Sequence, residues 1–529
     1  MVERPPFSSA FVIQLSPDIR TLDNSHQKKP VSAFTTKSLS TPNSERKRIW
    51  KQVPFENKQH YYTSLPTKPV RRPIDYFRDY FDDAFLEKVS YCTNLHYFRT
   101  NGLELKCTGS EIAKVFAIHM IMGCIPYPRL FMYWKAGTKL GLISDVMSRD
   151  RFLTIRNALH VIETDSPPDH EKENPLWKVQ PMINKVKDTC NRLERSPGFY
   201  AIDKKIIPFS GRCKLRQTVK HKVIGLKNFV LTTSEGLILD FAIYKDAKFF
   251  EETNLGLGPA IILHLAKSIP SGSCVYFDRY FTTVPLIEEM EKLNLHATGT
   301  IMQNQISNQT TIKFNKDFNM DCGESQQFVC EPVTVVKWKD NKSVIIASNC
   351  TGVDETINVK RWDKSNKRYT DVAVPKIVHN YNQHIMGAHV LDQQLEYYRT
   401  FNKTKKWTLK VIMYFLDLAL VNSWRLYSND CTSNNFVKNQ TMPLLDFLMD
   451  VADTLSSTPE RTRIEEDDDN YLSVAHQDHK KYRRAIAPST AKRHDGYEHY
   501  PISDDIKAPR ACRMENCSSR SKMRCEKCD

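Results

Sequence analysis

Hydrophobic and polar positions divide the chain into two helical regions separated by a mixed α/β region. Between about residues 74 and 198, aromatic and aliphatic residues recur at three- and four-residue spacings, which predicts amphipathic helices. One of these helices begins near Thr108 or Ser110, a candidate N-cap, with Glu111 close behind. Long amphipathic helices return after about residue 373, so helices are expected on both sides of the middle region.

Near residue 199 the periodicity changes to that of β-strands. The segment "FYAIDKKIIPF" predicts a strand, and "NFVLTTSEGLILDFAIYK" predicts a hairpin that turns at Glu235-Gly236. A strand at 273–278 is followed by a helix whose first turn holds Pro285 after a Thr283 cap. Further short strands between 305 and 372 predict an all-β insertion. The predicted fold class is therefore α/β (α+β).

Composition and charge favour a polyanionic partner. The 529 residues carry a formal net charge of +15, from 76 Lys and Arg against 61 Asp and Glu. This excess favours nucleic acid, although a solvated surface without a charged partner is the simpler alternative. The longest apolar stretch, about 113–128, is too short to cross a bilayer, so no membrane association is expected. Cysteines outside the C-terminal cluster are scattered singly, which is typical of reduced intracellular thiols.

Two acidic residues end predicted strands and suggest a metal site. Asp203 closes "FYAID" and Asp278 closes "CVYFD". Carboxylates on neighbouring strands can converge on divalent cations such as Mg²⁺, which prefers hard oxygen ligands. The alternative is that each aspartate only caps the turn that follows its strand.

These segments resemble the piggyBac transposases and the host proteins derived from them. The resemblance is carried by "AIDKKIIPFSGRC" (201–213), "YFDRYFTTVPL" (276–286) and "YNQHIMGAHVLDQ" (381–393), in the family's order. It implies a ribonuclease H-like catalytic core that cuts and joins DNA with Mg²⁺. It also implies a helical dimerisation and DNA-binding region assembled from both sides of that core, hence a homodimer on double-stranded DNA.

The resemblance and the residue patterns together divide the chain into eight parts. These are a disordered basic tail (1–73), a first helical dimerisation and DNA-binding part (74–198), the ribonuclease H-like core (199–304), the β insertion (305–372), a core helix with the third-carboxylate motif (373–393), a second helical part (394–457), a charged linker (458–507) and a truncated cysteine-rich zinc domain (508–529).

The third motif departs from the family pattern at its catalytic position. The resemblance assigns the first two catalytic aspartates to Asp203 and Asp278, but His389 stands where the third is expected. Imidazole suits Zn²⁺ better than Mg²⁺, and its presence removes a negative charge from the site. Asp392, three residues further on, would replace it only after a backbone shift.

A second departure lies beside the first aspartate, where Lys204 and Lys205 replace a glutamate and a neutral residue of the family pattern. On a strand, Lys205 shares a face with Asp203. Its ammonium either pairs with Asp203 and competes with a metal, or binds a DNA phosphate.

Two basic segments are candidate DNA contacts, because cations bind the phosphate backbone and interleaved aromatic rings can stack on bases. The alternative for both is an ordinary solvated face. The candidate residues are Arg212, Lys214, Arg216, Lys220, Lys222 and Lys227 in the first segment, and Lys405 and Lys406 in the second.

Four cysteines near residue 520 have the spacing of a zinc site. Cys512 and Cys517 form one close pair, and Cys525 and Cys528 form another. Four thiolates in short-spaced pairs suit tetrahedral Zn²⁺ better than free thiols or a disulfide. In the family this domain continues with further ligands, which is why residues 508–529 are interpreted as truncated.

The leading hypothesis is a nuclear, transposable element-derived DNA-binding protein whose DNA cleavage and strand transfer are impaired by His389. Two alternatives stay open. One is an active cut-and-paste transposase that uses Asp203, Asp278 and Asp392. The other is a protein-interaction module without DNA binding.

Overall fold

The computed structural model describes residues 48–164, 166–209, 225–245, 254–306, 311–340, 342–353, 355–363, 367–399 and 404–457, and four short strands between 501 and 525. The chain divides into two compact units, Met1–Arg461 and Thr462–Asp529. No helix among the described residues combines the length and apolarity needed to cross a membrane.

The first region is helical, as its periodicity predicts. Its helices are α1 (Pro73–Arg78), α2 (Asp83–Asn101), α3 (Gly109–Cys124), α4 (Gly141–Ser144), α5 (Arg149–Ala158) and α6 (Gln180–Arg192). Thr108 and Glu111 form a capping box at the start of α3, which confirms that predicted helix start.

The middle region forms one eight-stranded mixed sheet. Its strands are β1 (Phe199–Pro208), β2 (Gly225–Thr233), β3 (Ile238–Ile243), β4 (Cys274–Phe277), β5 (His296–Thr300), β6 (Ser325–Cys330), β7 (Val333–Lys339) and β8 (Ser343–Ser348), in the order β3-β2-β1-β4-β5-β8-β7-β6. The helices inserted among them are α7 (Leu257–Ala266), α8 (Val284–Lys292) and α9 (Gln303–Ile306). The Thr283 side chain caps α8 by accepting from the backbone N–H of Leu286, as predicted.

The predicted β insertion does not stand apart from this sheet. Its strand β8 pairs antiparallel with β5, so β6, β7 and β8 extend the sheet that carries the acids. This pairing satisfies the backbone groups that β5 would otherwise expose at a sheet edge. The remaining strands, β9 (Thr356–Asp363) and β10 (Arg368–Pro375), form a separate two-stranded ribbon.

Three helices complete the first unit: α10 (Lys376–Tyr397), α11 (Trp407–Ser433) and α12 (Leu444–Ser456). Buried residues of α11 and α12 share one hydrophobic core with those of α1, α2, α3, α5 and α6. Asn422 of α11 links this core to the sheet, because its side chain accepts from the backbone N–H of Ile238 and donates to its carbonyl.

Residues 48–72 differ from the predicted disordered tail. They form an extended arm that lies against the sheet, with Trp50 and Phe55 both 4% exposed. Lys51 exchanges two backbone hydrogen bonds with Val329 of β6. Two isolated aromatic residues in a polar stretch give no periodic signal, which is why the sequence did not predict this contact. Residues 1–47 lie outside the described part of the chain.

The second unit contains four short strands. They are β11 (Pro501–Ser503), β12 (Arg510–Ala511), β13 (Arg520–Ser521) and β14 (Met523–Cys525), with β11 antiparallel to β14 and β12 antiparallel to β13. Cys525 ends β14, and Cys512, Cys517 and Cys528 lie outside the described residues. The predicted zinc ligation therefore stays a prediction.

Candidate active site

Two acidic residues follow the last paired positions of neighbouring strands. Strands β1 and β4 are parallel, and their last pair is Ile202 with Phe277. The next residues along the two strands are Asp203 and Asp278. Asp278 follows the end of β4, as predicted, but the prediction that Asp203 closes its strand is wrong, because β1 stays paired with β2 as far as Pro208. Because parallel strands run in the same direction, these acids lie beside each other at one end of the β1–β4 pairing.

A third acid comes from helix α10, which packs across β1 and β2. The helix approaches the β2–β3 turn closely at Gly387, where an added Cβ would lie 2.2 Å from the carbonyl oxygen of Thr233. Asp392 lies five residues further along this helix. Its Oδ2 is 2.7 Å from the Nζ of Lys205 on β1, so α10 brings Asp392 to the same strand as Asp203.

The Lys205 ammonium joins two of the three acids. Its Nζ donates to Oδ2 of Asp203 at 3.0 Å and to Oδ2 of Asp392 at 2.7 Å. The Lys205 side chain is only 4% exposed, against 13% for Asp203 and 47% for Asp392. Burial alone would lower the pKa of Lys205, but the charges and hydrogen bonds of the two acids raise it above its usual value. The lysine is therefore cationic at neutral pH.

This contact distinguishes between the two roles that strand alternation allows for Lys205. The ammonium faces Asp203 inside the protein, so it pairs with the acids and is not presented to a DNA phosphate. The neighbouring Lys204 alternates to the other direction and lies over the Tyr280 ring, with Nζ 4.6 Å from the ring centroid.

Asp278 is half-buried and also orders the turn that follows β4. The backbone N–H of Tyr280 donates to its Oδ1, and the Thr282 hydroxyl donates to its backbone carbonyl at 3.0 Å. Burial raises the pKa of the Asp278 carboxyl, and the charge of Asp203 raises it further. The turn-capping role that the sequence allows for Asp278 is thus present, in a residue that is also next to Asp203.

His389 lies on the exposed side of α10, one turn before Asp392. Asp392, by contrast, is the residue of this helix that reaches Lys205. Partial burial raises the pKa of Asp392, and the charge and hydrogen bond of Lys205 oppose that rise. The helix therefore presents an imidazole at the position where the resemblance predicts the third acid, and a lysine-bound acid one turn later.

The donor set in this arrangement does not fit a pair of Mg²⁺ ions. Magnesium requires near-octahedral oxygen coordination with the carboxylates free to turn towards it. Here Asp203 and Asp392 are hydrogen-bonded to one ammonium, and residue 389, the position predicted for the third acid, is a histidine. Like-charge repulsion between the ammonium and a dication further opposes metal entry.

Most of the predicted DNA-contact residues lie outside the described part of the chain, namely Arg212, Lys214, Arg216, Lys220 and Lys222. Lys405 is exposed, and Lys227 is half-buried with its Nζ 5.6 Å from the Tyr244 ring centroid. Lys406 donates to the backbone carbonyl of Asn157 at 3.0 Å, and burial lowers its pKa to about 8. Lys406 thus contributes to packing between α5 and α11.

Sequence reasoning did not single out Arg279, which follows Asp278 directly. Its charge, with that of Lys204, opposes the upward shift of the Asp278 pKa. Both cations stand next to the acids in the quoted motifs. The signal was therefore present in the sequence, as a basic residue immediately after each of the two aspartates.

Comparisons with known proteins identify the family. The family model described as Transposase IS4 matches residues 72–424. PiggyBac transposable element-derived protein 3 of Homo sapiens is 25% identical over 479 residues, which cover 87% of this chain and 74% of that protein. PiggyBac transposable element-derived protein 2 of Homo sapiens is 26% identical over 373 residues, which cover 68% of this chain and 62% of that protein.

The fold is also that of a solved transposase. The cryo-EM structure of a piggyBac transposase synaptic complex with hairpin DNA superposes with a TM-score of 0.62 at 21% identity, covering 73% of this chain and 80% of that chain. This likeness shows the mixed α+β fold. The chain belongs to the transposase family of the matched model, in its piggyBac-type branch.

Proposed function

We propose that this protein is a nuclear, transposon-derived DNA-binding protein whose strand-cleaving centre is impaired. The observation that carries the proposal is the buried Lys205 ammonium between Asp203 and Asp392. A cation in this position neutralises the acids that would gather Mg²⁺ and competes for the same oxygen atoms. His389 at the third family position removes the further carboxylate that would outcompete it.

The finer features of the family extend this proposal. Three of them are a ribonuclease H-like core built on the mixed sheet, a homodimer formed through the helical region, and a zinc site. The zinc ligands would be Cys512, Cys517, Cys525 and Cys528. The parallel β1–β4 pairing, which is followed on each chain segment by an acid, supports the first. The shared core of the two helical parts supports a single rigid helical region able to present DNA contacts.

DNA cleavage by the purified full-length protein tests the impaired centre. The substrate is a duplex that ends in a matched transposon terminus, incubated with Mg²⁺ or Mn²⁺. We expect no strand cleavage above that of the Asp278→Ala variant. Robust cleavage by the wild-type protein that disappears in Asp278→Ala would instead identify an active transposase. The adjacency of Asp203 and Asp278 is the observation that favours this second candidate.

DNA binding requires a separate measurement, because it does not depend on the acids. We expect the affinity for duplex DNA to fall steeply as the salt concentration rises. The slope of log affinity against log salt concentration should be close to the number of phosphates contacted. Lys405→Ala is expected to reduce the slope by about one, whereas Lys438→Ala, an exposed lysine in the α11–α12 loop, is expected to leave it unchanged. A salt-independent response would favour a protein-interaction module.

A further inference from the structure

A second cluster of metal-binding side chains lies away from the acids. It consists of His60 on the arm, Cys274 at the start of β4 and Cys350 just after β8. One nitrogen of His60 and the two sulfur atoms all lie within 4.8 Å of one another. Both cysteines are 1% exposed, and neither forms a disulfide. Their local sequences contain no paired-cysteine motif, so only folding brings the three residues together.

The neighbouring imidazole of His296 lies beside this cluster. His296 is the register partner of Cys274 on β5, and its ring centroid is 4.3 Å from that of His60. The Nε2 atom of His60 and the Nδ1 atom of His296 are buried, and neither has a hydrogen-bond partner among the described residues. Buried polar atoms without partners are rare, and a bound ion is one recognised way to satisfy them.

Three hydroxyl groups surround the sulfur atom of Cys350. The hydroxyls of Ser348, Thr298 and Thr351 lie 3.4, 3.7 and 3.6 Å from this sulfur. Hydrogen-bonding groups around a metal ligand orient it, so this environment suits Cys350 as a ligand.

We propose that His60, Cys274 and Cys350 bind one Zn²⁺ ion, with His296 as the candidate fourth ligand. Two thiolates and neutral imidazoles form a donor set that Zn²⁺ prefers, with Zn–S distances of about 2.3 Å and Zn–N distances of about 2.0 Å. Two thiolates also cancel the charge of the dication. A buried site is therefore neutral overall, which avoids the cost of an unpaired buried charge.

This zinc ion would fasten the arm to the sheet at the end opposite to the acids. Cys274 begins β4 and Asp278 follows its last residue, so the two candidate sites lie at opposite ends of one strand. The arm already contacts this region, because the backbone N–H of Lys58 donates to the carbonyl of Cys350 at 2.9 Å. Its Nζ also pairs with Glu291 of α8 at 2.7 Å. The site is thus structural, and its prediction is independent of the proposed function.

Zinc content of the full-length protein tests the site. Protein is produced in zinc-containing medium and purified with a reductant and without chelators, and the metal is quantified per chain by mass spectrometry. Because the C-terminal cysteines are a separate predicted site, the informative quantity is the difference from wild type. We expect about one zinc ion per chain fewer in His60→Ala and in Cys350→Ser. Cys322→Ser, which alters an exposed cysteine, should retain the wild-type content.

Circular dichroism of each variant separates loss of metal from loss of folding. His60 is only half-buried on the arm, so His60→Ala keeps the test decisive if Cys350→Ser fails to fold. Replacement of zinc by Co²⁺ should give sulfur-to-cobalt charge-transfer absorption that is weaker in His60→Ala than in wild type. Equal zinc content in wild type and folded His60→Ala, or a Cys274–Cys350 disulfide in the zinc-loaded protein, would overturn the proposal.

Discussion

The Nζ atom of Lys205 lies 2.7 Å from Oδ2 of Asp392, although the two residues are 187 positions apart in the chain. The same ammonium contacts Asp203, so one lysine joins strand β1 to helix α10 through two acids. A fixed ammonium at this position neutralises the charge of acids that could otherwise bind a divalent cation. This relationship is the physical basis of the impaired active centre that we propose.

Removal of that lysine should destabilise the fold. Lys205→Ala leaves Asp203 and Asp392 without their cation, and we expect the free energy of unfolding to fall by about 2 kcal/mol. Removing one partner of a fully buried ion pair costs about 3–5 kcal/mol. The loss here should be smaller, because the Asp392 side chain is 47% exposed. Denaturant titration of the two proteins measures the difference. Lys204→Ala on the same strand is the matched control, and an equal loss in both variants would contradict the specific pairing.

Gly387 determines how closely α10 approaches the sheet. In Gly387→Ala the new Cβ would meet the carbonyl oxygen of Thr233 at 2.2 Å, so the helix must shift. We expect a loss of about 2 kcal/mol, against the gain that Gly→Ala gives in an unobstructed helix. Met386→Ala, at the neighbouring position whose side chain is 43% exposed, serves as the control and should change stability much less. Equal or greater stability of Gly387→Ala in thermal unfolding would show that the contact is not tight.

Stability should decrease in mild acid because of His384. This side chain is 6% exposed, its Nδ1 is 2.8 Å from the Ser234 hydroxyl, and burial lowers its pKa to about 4. Between pH 6.5 and about 4 the unfolded chain binds a proton at His384 that the folded protein does not bind. The contribution of His384 to the free energy of unfolding is therefore complete above this pH range and is lost as the pH falls through it. Between pH 7 and pH 5 the expected loss from this residue is about 2 kcal/mol.

The variant His384→Gln should flatten this part of the stability–pH curve, even if it lowers stability at pH 7. Urea unfolding at several pH values measures the slope. Gln383→Ala, an exposed change on the same helix, should keep the wild-type slope. A slope that is the same in His384→Gln and wild type would refute the assignment.

Asn422 holds the helical core against the sheet. Its side chain accepts from the N–H of Ile238 at 2.7 Å and donates to Tyr80 Oη at 2.6 Å. In Asn422→Leu these buried polar groups lose their partner, and we expect a loss of about 3 kcal/mol. Asn439→Leu, at an exposed position beyond α11, is the control and should lie within about 0.5 kcal/mol of wild type. A similarly small change in Asn422→Leu would contradict the role of this linkage.

Local signals in the sequence predicted the elements that depend on local chemistry. The Thr283 cap, the capping box of Thr108 and Glu111, and the strand β1 that carries Asp203 all follow from short-range hydrogen bonding and periodicity. Strand alternation also placed Lys205 on the same face as Asp203. None of these signals required knowledge of the fold.

Local sequence signals could not predict the contacts between segments that are far apart in the chain. The sequence offers Asp392 as a replacement ligand for a metal, but its contact with Lys205 depends on how α10 crosses β1. The pairing of β8 with β5 and the burial of Trp50 also join segments far apart in the chain. His60, Cys274 and Cys350 come from three such segments, and each residue alone has the appearance of an isolated core or loop residue.

Binding of Mn²⁺ to the acids decides whether Lys205 blocks a metal site. Electron paramagnetic resonance of free Mn²⁺ is measured during titration of the wild-type protein, of Asp203→Asn, and of the double variant Lys205→Ala/His389→Asp. We predict that wild type and Asp203→Asn bind Mn²⁺ equally weakly, and that the double variant gains at least one site. If wild-type protein binds Mn²⁺ tightly and Asp203→Asn abolishes that binding, the lysine does not exclude the metal and the impaired centre is disproved.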